Sequence, residues 1–519
     1  MLVNNFLENS ASKNPDKTAL ICGDKRLTYA EIDAMAGSLA SVLLSEGVEK
    51  GDRVAVFLDN SIEAVVAVFA ILKTGATFLM VNQTTKQDKL NYMLNNCRAS
   101  ALISHIDKFN IASEAYKTTP SLKFAVLSGK KKDIVNGSQR YIFMEDALTN
   151  MSSSWKPVVT SPCIDVDLAT IIYTSGSTGN PKGVMMTHHN MVSAANSITQ
   201  YLENREDDII LNLLPLSFDY GLYQVLMGFK MGATLVLEKS FIYPYKVIET
   251  ILKEKVTGFP IVPTISAILL QMEELKNHNF EHLRYISNTA AALPPIHITK
   301  LREIFPKARI YSMYGLTECK RVTYLPPEQI DIRPTSVGKG MPNEDVYIVD
   351  EDGKRVGPNI VGELVVRGSN VMKGYWEMPE ETAKRLKPGR YPGEMVLYTG
   401  DLFKMDEEGF LYFVARKDDI IKSRGEKVSP KEIENILYEI DGVVEAAVIG
   451  VPDDILGQAI KAFIVLKNGA TMTEKDVQRF CSKKLEDFMV PKYVEFRFEL
   501  PKTSTGKISK KMLTETRLI

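Results

Sequence analysis

The chain has 519 residues, 45% apolar and 24% charged, with a formal net charge of −1. That length exceeds what one hydrophobic core sustains, so two or more domains are expected. The balanced charge gives no electrostatic footing for nucleic acid, and the longest apolar run, Ala64 to Leu72, is too short to span a bilayer.

The opening segment, "MLVNNFLENSASKNP", lacks a basic start and a continuous apolar stretch, so no secretory signal is expected. "TYAEIDAMAGSLASVLLSEG" reads as an amphipathic helix, "DRVAVFL" as a strand, "SIEAVVAVFAILKTG" as a helix and "ATFLMV" as another strand. The alternation returns between Asp207 and Pro263 in "DIILNLLPL", "YGLYQVLMGFKMG", "ATLVLE" and "VTGFPIVP". Strands separated by helices of this length predict α/β architecture with parallel sheets covered on both faces. From Ser336 to Phe413 the short runs "DVYIVDEDG", "GELVVRG" and "GFLYFVAR", broken by Gly and Asp, predict a mostly antiparallel β subdomain. Beyond Arg416 the charge density rises, and a compact α+β unit of about a hundred residues follows, an ordinary domain size. The boundaries read from this are a large N-terminal domain over 1–415, a hinge over 416–419 and a small mobile lid over 420–519. Cys22, Cys97, Cys163, Cys319 and Cys481 are odd in number and scattered, which suits reduced thiols and a cytoplasmic setting. The six histidines show no metal-ligand spacing.

One stretch carries chemistry. "LATIIY" reads as a buried strand, "TSGSTGNPKG" at 174–183 as a loop dense in glycine and hydroxyl residues with one lysine, and "HHNMVSAANSITQYL" as a helix. Glycines let backbone N–H groups converge on an anion, hydroxyls add donors and a lysine adds a point charge. The order Pro181-Lys182-Gly183 is not that of the ordinary P-loop, in which Lys is followed by Ser or Thr.

"YTSGSTGNPKG" resembles the signature loop of the AMP-forming adenylating enzymes, the superfamily of acyl-CoA synthetases, nonribosomal peptide synthetase adenylation domains and firefly-type luciferases. The resemblance continues in family order through "LKTGATFLMVN", "MYGLTE", "GELVVRGSNVMKGYW", "YTGD", "ARKDDIIKSRGEKVSPKEIE" and "PKTSTGKIS". It implies a two-step ligase. A carboxylate attacks the α-phosphate of ATP to give an acyl-adenylate and pyrophosphate, and a thiol then displaces AMP.

The resemblance also implies roles. Thr174, Ser175, Gly176, Ser177, Thr178, Gly179 and Lys182 would wrap the β- and γ-phosphates. Thr317 would meet the α-phosphate and Glu318 would hold Mg²⁺. Tyr314 would lie against adenine, Asp401 would take the ribose hydroxyls, and Arg416 would reach ribose and phosphate. Lys507 would bridge the acid carboxylate and the α-phosphate, stabilising the charge that develops there. Asp418 matches the hinge about which the small domain turns, and Gly425 would line a tunnel for the thiol. Cys319 is expected to be a packing residue, since this chemistry needs no enzyme thiol.

The acid pocket departs from the common pattern. Phe218-Asp219 stands where many fatty acyl-CoA synthetases carry an aromatic-His pair, and it matches amino-acid-activating members, in which the Asp meets the substrate ammonium. Asp219 could equally pair internally or cap a helix. Ala290 and Ala291 replace the usual Gly-Gly or Gly-Ala and are expected to narrow the pocket. The first reading is therefore a ligase that loads a carboxylic acid, with amino acids among the candidates, onto the phosphopantetheine of a separate carrier protein. No attachment helix for such an arm is found in this chain. The alternatives are an acyl-CoA synthetase acting on a small or medium acid, and a non-catalytic nucleotide or acyl binder.

Overall fold

The computed structural model describes residues 1–130, 140–149, 163–174, 181–423, 426–453, 456–503 and 506–515. Among them the strands form four sheets. The first runs, edge to edge, through strands 339–340, 323–325, 309–314, 285–288, 258–261, 209–212, 234–237, 18–22 and 25–28. Its inner pairs are parallel and its edges antiparallel. The second runs through 374–375, 182–187, 168–174, 77–80, 53–57, 101–105, 124–128 and 141–143, again parallel inside.

Helices bind these two sheets into one core. Tyr29–Ser45 starts at a reciprocal Thr28–Glu31 capping box, which satisfies two otherwise orphan N–H groups. Ile62–Lys73 is capped by Ser61 and buried at nearly every position, as its almost wholly apolar sequence requires. Its Phe69 ring stacks on Phe229 of helix Asp219–Met231, with centroids 5.3 Å apart. That helix emerges from the first sheet, so the contact locks the two sheet systems together.

The third sheet, built from 344–349, 362–368, 386–388, 395–405 and 411–416, is antiparallel throughout, as the broken short runs predict. The fourth, over 421–496, is mixed and has its own apolar core around Ile433, Val448 and Phe463. Among the described residues no helix is long and apolar enough to cross a membrane.

One local expectation is corrected. The signature segment does not lead from strand directly into helix. A second strand, Lys182–Thr187, intervenes and pairs antiparallel with Leu168–Thr174, with Thr174 opposite Lys182. "KGVMMT" alternates its apolar side chains over too few residues for the period to stand out from the glycine loop. The helix His188–Tyr201 starts only after Thr187, which caps it reciprocally with Asn190.

Candidate active site

The site lies where strands of the first two sheets end, the usual place for ligands in parallel α/β sheets. Thr174 closes one strand of the hairpin and Lys182 opens the other. Ser175, Gly176, Ser177, Thr178 and Gly179 lie outside the described residues. The Lys182 ammonium pairs with Glu381, which also binds Lys384. Those two hydrogen-bonded cations pull the Glu381 carboxyl down to about 2. Lys182 Nζ is also 5.5 Å from the centre of the Tyr375 ring.

Tyr375 leads to the "YGLTE" segment, because its phenol donates to Glu318 Oε1 at 2.7 Å. Burial and the Glu318 charge together hold that phenol well above its ordinary pKa, so it stays a donor. Strand Arg309–Tyr314 ends in this segment, and the chain then folds back so that Val322 N–H returns to the Tyr314 carbonyl at 2.9 Å. Gly315 makes the return possible: a Cβ there would lie 2.2 Å from the Lys320 carbonyl oxygen. Thr317 and Glu318 are thereby presented, half-buried, at the strand end.

Tyr314 donates its phenol to Asp401 Oδ2 at 2.6 Å and packs edge-on against Phe403. Asp401 is 6% exposed, and burial raises its carboxyl despite the opposing pull of Arg416, Tyr314 and Arg385. Register explains one of these partners. Asp401 and Arg416 are directly opposed on neighbouring strands, and Arg416 Nε is 3.7 Å from Asp401 Oδ1. Gly400 explains another: at φ +75°, a Cβ would strike the Arg385 guanidinium at 2.0 Å. Arg385 is absent from the motifs and was invisible in the sequence.

Lys507 reaches this cluster from the small domain. Its loop is held by hydrogen bonds from Lys507 N–H to Thr503 Oγ1 and from Thr503 N–H to the Lys507 carbonyl. A Cβ on neighbouring Gly506 would lie 3.3 Å from Thr264 Oγ1, so the loop tip seats on the large domain. Lys507 Nζ is 6.0 Å from the Phe218 ring centre. Burial and nearby Arg416 lower its ammonium pKa, while Asp219, Asp401 and Glu318 oppose that shift. The fold therefore brings Lys507, Phe218, Asp219, Glu318, Asp401 and Arg416 around one space.

Asp219 is 6% exposed and is the first residue of its helix, where the N-terminal dipole favours a carboxylate. It is not isolated: its charge acts on both Lys507 and Lys320. Ala290 is half-buried with φ +76°, a left-handed conformation costing a residue with a Cβ roughly 1–2 kcal/mol. Ala291 is exposed, and its carbonyl accepts a bond from Asn288 at 2.9 Å. Asp418 is exposed in the turn that Asp419 N–H closes on the Arg416 carbonyl. Gly425 lies outside the described residues. The five cysteines are all unpaired, and burial drives the Cys319 thiol far above its ordinary pKa, in keeping with a packing role.

The chain matches the AMP-binding enzyme family over residues 7–376 and the AMP-binding enzyme C-terminal domain over 432–507. It belongs to the AMP-binding enzyme family. It is thus an ATP-dependent, AMP-forming ligase with a large N-terminal and a small C-terminal domain. The ligase is 34% identical to a long-chain-fatty-acid–CoA ligase of Bacillus subtilis (strain 168), over 98% of this chain and 93% of that one. It is 30% identical to an oxalate–CoA ligase of Arabidopsis thaliana, over 98% of this chain and 97% of that one. Among solved structures, the anthranilate CoA ligase AuaEII in complex with anthranoyl-AMP superposes with a TM-score of 0.90 at 28% identity, covering 99% of this chain and 97% of that one. These relatives act on very different acids, so membership of the family leaves the acid open.

Proposed function

We propose that the ligase is an acyl-CoA synthetase, forming an acyl-adenylate from a carboxylic acid and ATP and passing the acyl group to CoA. The observation that carries this reading is the arrival of Lys507 beside Phe218, Asp219 and Glu318. A lysine from the small domain there can neutralise charge shared between an acid carboxylate and the α-phosphate. The carboxylate oxygen attacks the α-phosphorus and pyrophosphate leaves with the bond electrons. In the second step the CoA sulfur attacks the acyl carbon, its proton is lost to solvent, and AMP leaves.

Lys182 and the hairpin would hold the β- and γ-phosphates, and Thr317 the α-phosphate. Asp401, kept oriented by Tyr314 and Arg416, would take the ribose hydroxyls. Mg²⁺ fits this site through Glu318, a hard oxygen donor, and supplies charge neutralisation on the phosphates when bound. Among the described residues no group of three or more His, Cys, Asp or Glu side chains could hold a metal ion. The other ligands would then be phosphate and water oxygens.

The sequence alone placed a carrier-protein arm first as thiol acceptor. The relatives are CoA ligases, and this favours CoA. The test is hydroxylamine trapping of acyl-adenylate across aliphatic, aromatic, dicarboxylic and amino acids with ATP and Mg²⁺, then the best acid with CoA or with a phosphopantetheinylated carrier. Formation of acyl-CoA at a rate matching adenylation supports the reading. Transfer to the carrier alone would return the carrier arm to first place, and no adenylate from any acid would remove the ligase reading.

A further inference from the structure

Two residues beyond Glu318 the chain buries a pair of cations. Lys320 is 1% exposed and Arg321 is 3% exposed. Among the described residues Lys320 Nζ has no hydrogen-bond partner, and neither do Arg321 Nε and Nη2. Arg321 Nη1 donates to the Lys320 carbonyl at 3.3 Å. Asp219 and Glu318 act on Lys320 from a distance, yet neither forms an ion pair with it. Burying a cation without paired hydrogen bonds is costly, so such donors mark a place where something else completes them.

Their placement is fixed by the backbone. Asn370 Nδ2 donates to the Cys319 carbonyl at 2.5 Å and to the Arg321 carbonyl at 3.0 Å. Lys320 is held in a left-handed conformation at φ +65°. The side chains then lie on the helix that opens with Asp219. The Arg321 guanidinium is 4.4 Å from the Tyr220 ring centre and Lys320 Nζ is 5.5 Å from that of Tyr223. Tyr220 cannot swing away, because its phenol is bonded to the Ser287 carbonyl and hydroxyl at 2.7 and 2.8 Å.

The same helix orders the site along one axis. Lys507 approaches at Phe218, its N-cap, whereas Lys320 lies at Tyr223, about 7.5 Å further along at the ordinary helical rise. The reacting carboxylate belongs at the Lys507 end. Asp219 and Glu318 act on both Lys507 and Lys320, which ties the two ends to one space, so the free donors would meet a different part of the same acid.

We propose that Lys320 and Arg321 form a specificity subsite for a second anionic group, so that the ligase activates a dicarboxylic acid at the end remote from that subsite. The inference rests on the acid–thiol ligase reading above. The ammonium and the open edge of the guanidinium supply a point charge and a planar fork, which together suit a carboxylate. Asp219 then serves to balance the local positive charge. A substrate ammonium beside Asp219 would have to enter a space already holding two buried cations and Lys507.

The test compares matched acids in the hydroxylamine-trapping assay: butyrate with succinate, hexanoate with adipate, octanoate with suberate, each diacid with its monomethyl ester, and 6-aminohexanoate as the cationic counterpart. At least one diacid should exceed its monoacid and its monoester tenfold or more in kcat/KM. Lys320→Met and Arg321→Met should lower that diacid-to-monoacid ratio at least tenfold, and Arg321→Lys, which keeps the charge but loses the fork, should fall between. A wild-type preference for monoacids or for the amino acid would overturn the proposal, as would a ratio unchanged in the variants. Should no acid be turned over, calorimetric titration of the diacids with a non-hydrolysable ATP analogue separates the two readings. Diacid binding that Arg321→Lys weakens supports the subsite while the ligase reading fails, and no binding overturns both.

Discussion

Lys507 Nζ, on the small domain, lies 6.0 Å from the centre of the Phe218 ring, on the large one. That relationship describes a closed arrangement suited to the first half-reaction. It places the residue that would stabilise the adenylation transition state beside the acid wall and within electrostatic reach of Glu318 and Asp401. Lys507→Ala should therefore cut pyrophosphate release by on the order of a hundred-fold or more, as for other preorganised charge partners. Thioester formation from chemically supplied acyl-adenylate should fall far less. Pyrophosphate release near the wild-type rate would take Lys507 out of the mechanism.

In the proposed second half-reaction the small domain would turn to admit the CoA thiol. Asp418 is exposed, and its N–H serves no backbone bond in the turn that Arg416 and Asp419 close. As a central residue of that turn, it has dihedrals that decide whether the Arg416–Asp419 bond holds, which makes it a natural pivot. Asp418→Pro fixes its φ and restricts Lys417. Adenylation should persist in this variant while acyl-CoA formation drops at least tenfold. Equal losses in both half-reactions would place the pivot elsewhere.

Much of this organisation was legible in the sequence because it is local. Parallel α/β alternation and antiparallel β runs read directly, since each depends on side-chain period and neighbours a few positions apart, while the motif residues came through the family resemblance. What escaped depends on distance or burial. The pairing of Lys182 with Glu381 spans 199 residues and that of Tyr375 with Glu318 spans 57. Lys320 and Arg321 carry no sign of burial in the sequence, and only the fold sets them against Tyr223 and Tyr220. Ala290 reads as a volume change, whereas the structure adds a left-handed backbone that its replacement of glycine does not relieve.

The Lys182–Glu381 pair bears on nucleotide affinity. Glu381 accepts from both Lys182 and Lys384, and phosphate oxygens would compete with it for the Lys182 ammonium. Glu381→Gln removes the competing charge while keeping the shape. The KM for ATP should fall by up to about fivefold, the span of a modest charge-pair effect at a partly exposed site. Lys182→Met should raise the same KM. An unchanged KM in Glu381→Gln would show that the pair does not compete with phosphate.

Two buried histidines set the acid limit of the fold. Burial lowers His188 to about 4, and the Val3 N–H donates to its Nδ1 at 3.0 Å, which requires that nitrogen to be unprotonated. Burial, reinforced by Lys300 and Lys431, likewise lowers His297 to about 4. His297 is bonded to Ser266 at 2.9 Å and packs edge-on against Tyr438 of the small domain with centroids 5.5 Å apart. Both groups titrate near 6.5 once unfolded. Between pH 6.5 and 4 the unfolded chain thus holds more protons than the folded one, so stability declines as pH falls through that window. A shift of this size corresponds to about 3 kcal/mol for each histidine, nearly all of it lost by pH 4. Thermal unfolding midpoints should drop steeply from pH 7 to 5, above the range in which most carboxylates protonate. His297→Gln should flatten part of that slope, and because Tyr438 is on the other domain, wild-type acidification should also loosen domain closure, visible as faster hydrogen exchange across 295–304 and 430–438. A melting midpoint constant from pH 7 to 5 would mean that neither histidine is held neutral by the fold.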